Sequence, residues 1–206
     1  MIDTKEYKIM VTNFVEFLIQ NGALDEKYRE DSIYGLTIVI EKIIAYMLLF
    51  CTAFLVGNLT GGIMFTVSFV ILRQITGGFH AKTFLGCLIG STITLLLAIE
   101  ILVPLAEQYT IIFGGLLLLS VCCILLFAPV NHPDLLLTEE EERRHRSWGK
   151  GVLSVEMGIV ALGYILQEQW QQYIMIAIIM CAVFILIAKI VRQEVRRNDE
   201  KEKPYA

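Results

Sequence analysis

The sequence predicts an all-α, polytopic integral membrane protein, and three observations carry that prediction. Hydrophobic residues make up 56% of the 206-residue chain, and the mean hydropathy is +0.64. Charges sit in a few short blocks separated by long uncharged runs, whereas a water-soluble domain spreads them along its length. Six apolar segments each approach the ~20 residues that a spanning helix needs.

Taken in order, residues 4–20 place Tyr7, Met10, Val11, Phe14, Phe17 and Leu18 at helical spacing, with Lys5, Lys8, Asn13, Glu16 and Gln20 between them. Asn21-Gly22 supplies a C-terminal stop. Such a helix is too polar to span and suits the membrane interface; packing on the rest of the protein is the equal alternative. Its charges also rule out a cleavable signal peptide. Residues 1–32 thus read as an interfacial N-terminal segment, 33–191 as a six-span membrane domain, and 192–206 as a charged tail. The spans are expected near 33–57, 59–73, 84–104, 110–130, 151–167 and 171–191. Between the fourth and fifth, Thr138 with Glu141 three residues on forms a capping-box pattern. Arg143, Arg144 and Arg146 follow late, as the helix dipole favours. A short helix outside the membrane is expected there, docking of a charged peptide being the alternative, with His132 and His145 as solvated loop residues.

All 17 Lys and Arg fall within residues 1–42, 73–83, 131–150 and the stretch from Lys189 onward. In a six-span arrangement these blocks share one side. By the positive-inside rule that side is the cytoplasm, with both termini inside. The five cysteines (Cys51, Cys87, Cys122, Cys123, Cys181) form no CxxC pair and no metal-ligand spacing, so neither a disulfide framework nor structural zinc is expected. No cofactor, phosphate-binding loop or nucleic-acid patch is indicated.

Chemistry concentrates in residues 72–87, where Arg73, Gln74, Gly77-Gly78, His80, Lys82, Gly86 and Cys87 interrupt the apolar runs. A thiol is a useful nucleophile only as thiolate, which calls for a nearby base or positive charge. His80 can take the proton, and Arg73 and Lys82 add positive potential. A small buried cysteine beside an interfacial histidine is the competing explanation. Position argues against it, because Cys87 lies just inside the third segment while the other cysteines lie deep in apolar runs. On one straight helix, residues 80 and 87 would stand about 10.5 Å apart along the axis, and proton transfer needs about 3 Å or a bridging water. A working pair therefore requires a broken or re-entrant helix near 73–87, with Gly77, Gly78 and Gly86 as the hinges. Arg73, Gln74 and Ser91 are weaker candidates for substrate binding or oxyanion stabilisation. Glu100 lies about 20 Å beyond Cys87 along a helix, too far for a triad.

Arg73, Gly77-Gly78, His80-Ala81 and Cys87, with six residues between His and Cys, resemble the signature of the AgrB family, the accessory gene regulator B peptidases of Gram-positive quorum sensing. The likeness extends to chain size, the multi-span layout and the Ala128-Pro129-Val130-Asn131 exit from the fourth segment. The resemblance implies a membrane cysteine endopeptidase that cuts the C-terminal part from a short AgrD-like precursor peptide. It implies Cys87 as nucleophile, His80 as base and then acid, and closure of the remaining peptide to a thiolactone or lactone. The partners it implies are the precursor and the bilayer, with a homo-oligomer left open. A small transporter or exporter using Glu41, Glu100 and Glu156 is the alternative, although no convincing internal repeat supports it.

Overall fold

The computed structural model describes residues 4–79, 81, 83–130 and 138–191. His80, Lys82, His132 and the 192–206 tail lie outside the described residues. The described chain is helical throughout: α1 (Thr4–Gln20), α2 (Arg29–Leu55, entered through a single 3₁₀ turn), α3 (Leu59–Thr76), α4 (Phe84–Leu97), α5 (Val103–Gln108), α6 (Thr110–Phe127), α7 (Glu139–Leu166) and α8 (Gln171–Ile190). Six of the helical stretches are long and apolar enough to cross a membrane, and α1 is a shorter apolar helix. The expected all-α, multi-span architecture is what the chain adopts.

The chain divides into two compact units, Met1–Leu48 and Leu49–Ala206. In the first, α1 stops where Asn21-Gly22 sits: Gly22 has φ +71°, and Asn21 donates its side-chain amide to Phe17 O at 2.7 Å. Val11 and Val15 are buried, whereas Met10, Phe14 and Phe17 are exposed. Arg29 donates to Glu16 Oε1 at 2.7 Å.

In the second unit α8 is the central element, packed on α3, α6 and α7 and buried along most of its length. Close approach is built from small residues, as membrane helix packing requires. A side chain on Gly61 would run into the Tyr173 ring, and one on Gly62 into Ala53. Aromatic rings fill the centre: Phe65 stacks on Phe69 at 5.4 Å, and Phe69 meets Phe184 edge-on at 5.7 Å. A buried polar pair crosses from α3 to α7, where Ser68 Oγ donates to Glu156 Oε1 at 2.8 Å. Glu156 is only 6% exposed, and its Oε2 has no partner among the described residues.

Two expectations need correction. The third span does not stop at Pro104. It passes through a π-turn at Ala98–Leu102 and continues as α5, with Pro104 in that helix's first turn. A proline ring clashes with the carbonyl four residues back, and the wider π-turn relieves that clash without ending the helix. Nor is the 138–146 segment a separate short helix. It is the first part of the continuous α7, because Gly149 and Gly151 alone do not stop a helix whose capping box fixes its start.

Candidate active site

The site is built where the helical chain breaks. α3 ends at Thr76 and α4 begins at Phe84, so no continuous helix separates position 80 from position 87. Gly77 (φ +71°, ψ −154°) occupies backbone space that is essentially closed to other residues. A Cβ there would stand 2.5 Å from Val130 O. Gly78 (φ +132°) fits between Arg73 Nη1 and the Phe184 backbone, at 3.2 and 3.4 Å from where its Cβ would be. Both glycines are therefore required by backbone conformation and by close approach together. Gly86 acts differently. It lies inside α4 without a positive φ, and its missing side chain leaves room for Thr83 Oγ1 and Ala81 Cβ.

The broken segment is held at several points. Val130 N donates to Thr76 O and Phe79 N donates to Phe184 O, each at 3.0 Å. Arg73 reaches forward to donate to Phe79 O. Its guanidinium lies 4.6 Å from the Phe184 ring centroid and 5.6 Å from that of Phe69, a cation–π arrangement that holds a half-buried charge. Nη1 of Arg73 is buried and has no hydrogen-bond partner among the described residues.

Cys87 sits in the first turn of α4. Thr83 caps that helix, its Oγ1 accepting from Gly86 N at 3.1 Å, and Thr83 O accepts from Cys87 N at 3.0 Å. The thiol is half-buried, in contrast to Cys181, which is 1% exposed and points its sulfur at Phe69 O. Cys51 and Cys122 are exposed on helices long and apolar enough to span. Gln74 is exposed near the end of α3, and Ser91 is half-buried one turn beyond Cys87. His80 and Lys82 being outside the described residues, the structure gives no distance from the imidazole to the sulfur.

Sequence reasoning missed Phe184, Val130 and Thr83 as parts of this region. Thr83 was detectable, since a threonine before an apolar helix is a common N-cap. The other two act across the bundle. His145, expected as a solvated loop residue, is half-buried instead, with Nδ1 3.3 Å from Ile75 O. Its position on the continuous α7 brings it against the end of α3.

A helical membrane bundle with a half-buried cysteine in the first turn of a helix, next to a glycine turn clamped by a half-buried arginine, defines the class: a multi-pass membrane protein with a candidate thiol site at one end of the bundle. The family model for accessory gene regulator B matches residues 11–191, and the chain belongs to that AgrB family. No curated protein and no solved structure matches it.

Proposed function

We propose that the protein is a cysteine endopeptidase of the cell membrane, with Cys87 as nucleophile and His80 as general base and acid. Its substrate on this reading is a short AgrD-like precursor peptide, cut at the cytoplasmic face and cyclised for quorum sensing in a Gram-positive bacterium. The observation that carries the reading is the placement of Cys87, half-buried in the first turn of α4 directly after the helix break. The N-terminal turn of a helix is a favourable place for negative charge to develop. The break removes the continuous helix that would keep the imidazole away from the sulfur. Membership of the AgrB family supports the same activity.

The chemistry balances without a cofactor. His80 removes the thiol proton as the sulfur attacks the scissile carbonyl. The carbon–nitrogen bond breaks, and the leaving amine takes the proton from the imidazolium. The acyl group then rests on Cys87 as a thioester. An internal thiol or hydroxyl of the peptide gives its proton to His80, displaces Cys87 and closes the ring, and the imidazolium returns that proton to the departing Cys87 thiolate. Exchange of one thioester for another keeps the acyl group activated, and a partly dry site that holds the peptide favours closure over hydrolysis. Arg73 Nη1, a buried donor with no partner among the described residues, could serve a substrate carboxylate or an oxyanion. The positive-inside rule, applied to the basic blocks, supports a cytoplasmic site with both termini inside.

The deciding experiment co-expresses the full chain with a candidate AgrD-like precursor peptide and follows release of the C-terminal fragment. Cys87→Ala and His80→Ala should each abolish release while insertion stays normal, and Cys122→Ala should not. Fragment release by the Cys87→Ala protein would end the peptidase reading.

A further inference from the structure

We propose that His145 on α7 is a positioning residue that holds the C-terminal end of α3, and with it the turn leading to Cys87, in register for catalysis. The link to catalysis rests on the peptidase reading above; the holding role does not. The last carbonyls of a helix have no partner in its interior turns, and at the end of α3 the C-cap Gly77 supplies one of three while residues outside the helix supply the other two. Arg73 O accepts from Gly77 N at 2.9 Å and Thr76 O accepts from Val130 N at 3.0 Å. Ile75 O faces His145 Nδ1 at 3.3 Å. A carbonyl oxygen can only accept, so Nδ1 carries the hydrogen in this contact and Nε2 is the ring's remaining nitrogen.

The geometry around the contact is that of a built junction. α7 approaches α3 closely at Gly149, where an added Cβ would lie 3.4 Å from Ile75 Cγ2. His145 and Gly149 line one side of a small cleft, and Ile75, Thr76 and Ala128 line the other. His145 is itself on a firm base. Thr138 and Glu141 satisfy both halves of a capping box at the start of α7, and Arg146 pairs with Glu142 at 3.6 Å. The imidazole therefore ties a rigid helix to the last turn before Gly77. From there the next contacts, Val130 to Thr76 and Phe184 to Phe79, carry the turn toward residue 80. Losing the donor frees one of the points that fix the turn, without removing any group that touches substrate.

The test compares His145→Phe, which keeps a ring but has no donor, with His145→Asn, whose side-chain amide supplies N–H near the Nδ1 position. Both are made in the full-length protein in lipid vesicles. Backbone hydrogen exchange is read at residues 76–79 and 130. A net hydrogen bond of ordinary strength corresponds to a roughly three- to tenfold effect. Exchange at 76–79 should rise by about that factor in His145→Phe and return toward wild type in His145→Asn, with exchange at 153–160 in α7 unchanged. Cleavage of the synthetic precursor peptide should lose kcat by a similar factor in His145→Phe, at unchanged KM, and recover in His145→Asn. Unchanged exchange at 76–79 in His145→Phe overturns the proposal, and so does faster exchange with undiminished kcat. If the wild-type protein shows no Cys87-dependent cleavage, the peptidase reading fails on its own, and the exchange comparison still decides whether His145 holds the turn.

Discussion

Replacing Gly77 by alanine should open the turn before Cys87, and the structure sets the size of the effect. At φ +71° and ψ −154° the residue occupies a region that costs a side-chain-bearing residue about 1–3 kcal/mol. The new Cβ would also meet Val130 O at 2.5 Å. Val130 must then move away, which strains its hydrogen bond to Thr76 O. Losing that bond adds about 0.5–1.5 kcal/mol. The sum is about 2–4 kcal/mol, confined to the joint between α3 and the exit from α6. Hydrogen exchange of the Val130 amide in detergent is the assay, and an effect of ~3 kcal/mol corresponds to about a hundredfold faster opening. Gly158→Ala is the control, because nothing lies within 4 Å of its added Cβ and its φ is ordinary. An alanine inside a helix there should be neutral or stabilising by roughly 0.5–1 kcal/mol. Equal Val130 exchange in Gly77→Ala and wild type would refute the reasoning.

The buried pair across α3 and α7 should show a marked asymmetry. Ser68→Ala strips Glu156 of its donor and should cost ~1–3 kcal/mol in thermal unfolding, while the double change Ser68→Ala with Glu156→Met should recover most of that loss. A double variant less stable than Ser68→Ala alone would contradict this. Gly62→Ala should destabilise by ~1–3 kcal/mol, because its Cβ runs into Ala53 where α2 and α3 meet; a melting temperature at or above wild type would refute it. Thr138→Ala removes the capping box of α7 and should cost ~0.5–2 kcal/mol, seen as faster exchange at the amides of residues 139–142. Exchange there matching wild type would show that the cap contributes nothing.

Hydropathy and charge made the spans legible, because a bilayer imposes length and excludes charge whatever the tertiary arrangement. They could not reveal which helix forms the centre. α6 and α8 are both apolar around their whole circumference. Yet Ile111, Leu118, Leu119 and Leu126 of α6 face outward, while α8 is enclosed. In a water-soluble protein an all-round apolar helix must be internal; in a membrane, lipid is as good an apolar neighbour as protein. The need for a helix break near 73–87 was readable from the pitch of a helix and the glycine pair. The contacts that hold the break were not. Val130 to Thr76, Phe184 to Phe79 and His145 to Ile75 join residues far apart in sequence, and periodicity speaks only of near neighbours. His145 was misjudged for this reason, since its flanking arginines suggest solvent while the fold sets it against α3.

The most direct test of the thiol at the centre of this mechanism is intact-protein and peptide mass spectrometry of the full chain quenched in acid during precursor cleavage. The expected result is a covalent peptide adduct on Cys87, released by hydroxylamine as a thioester must be and missing from the Cys87→Ala protein. Productive cleavage with the adduct on another residue, or with Cys87 never acylated, would contradict it.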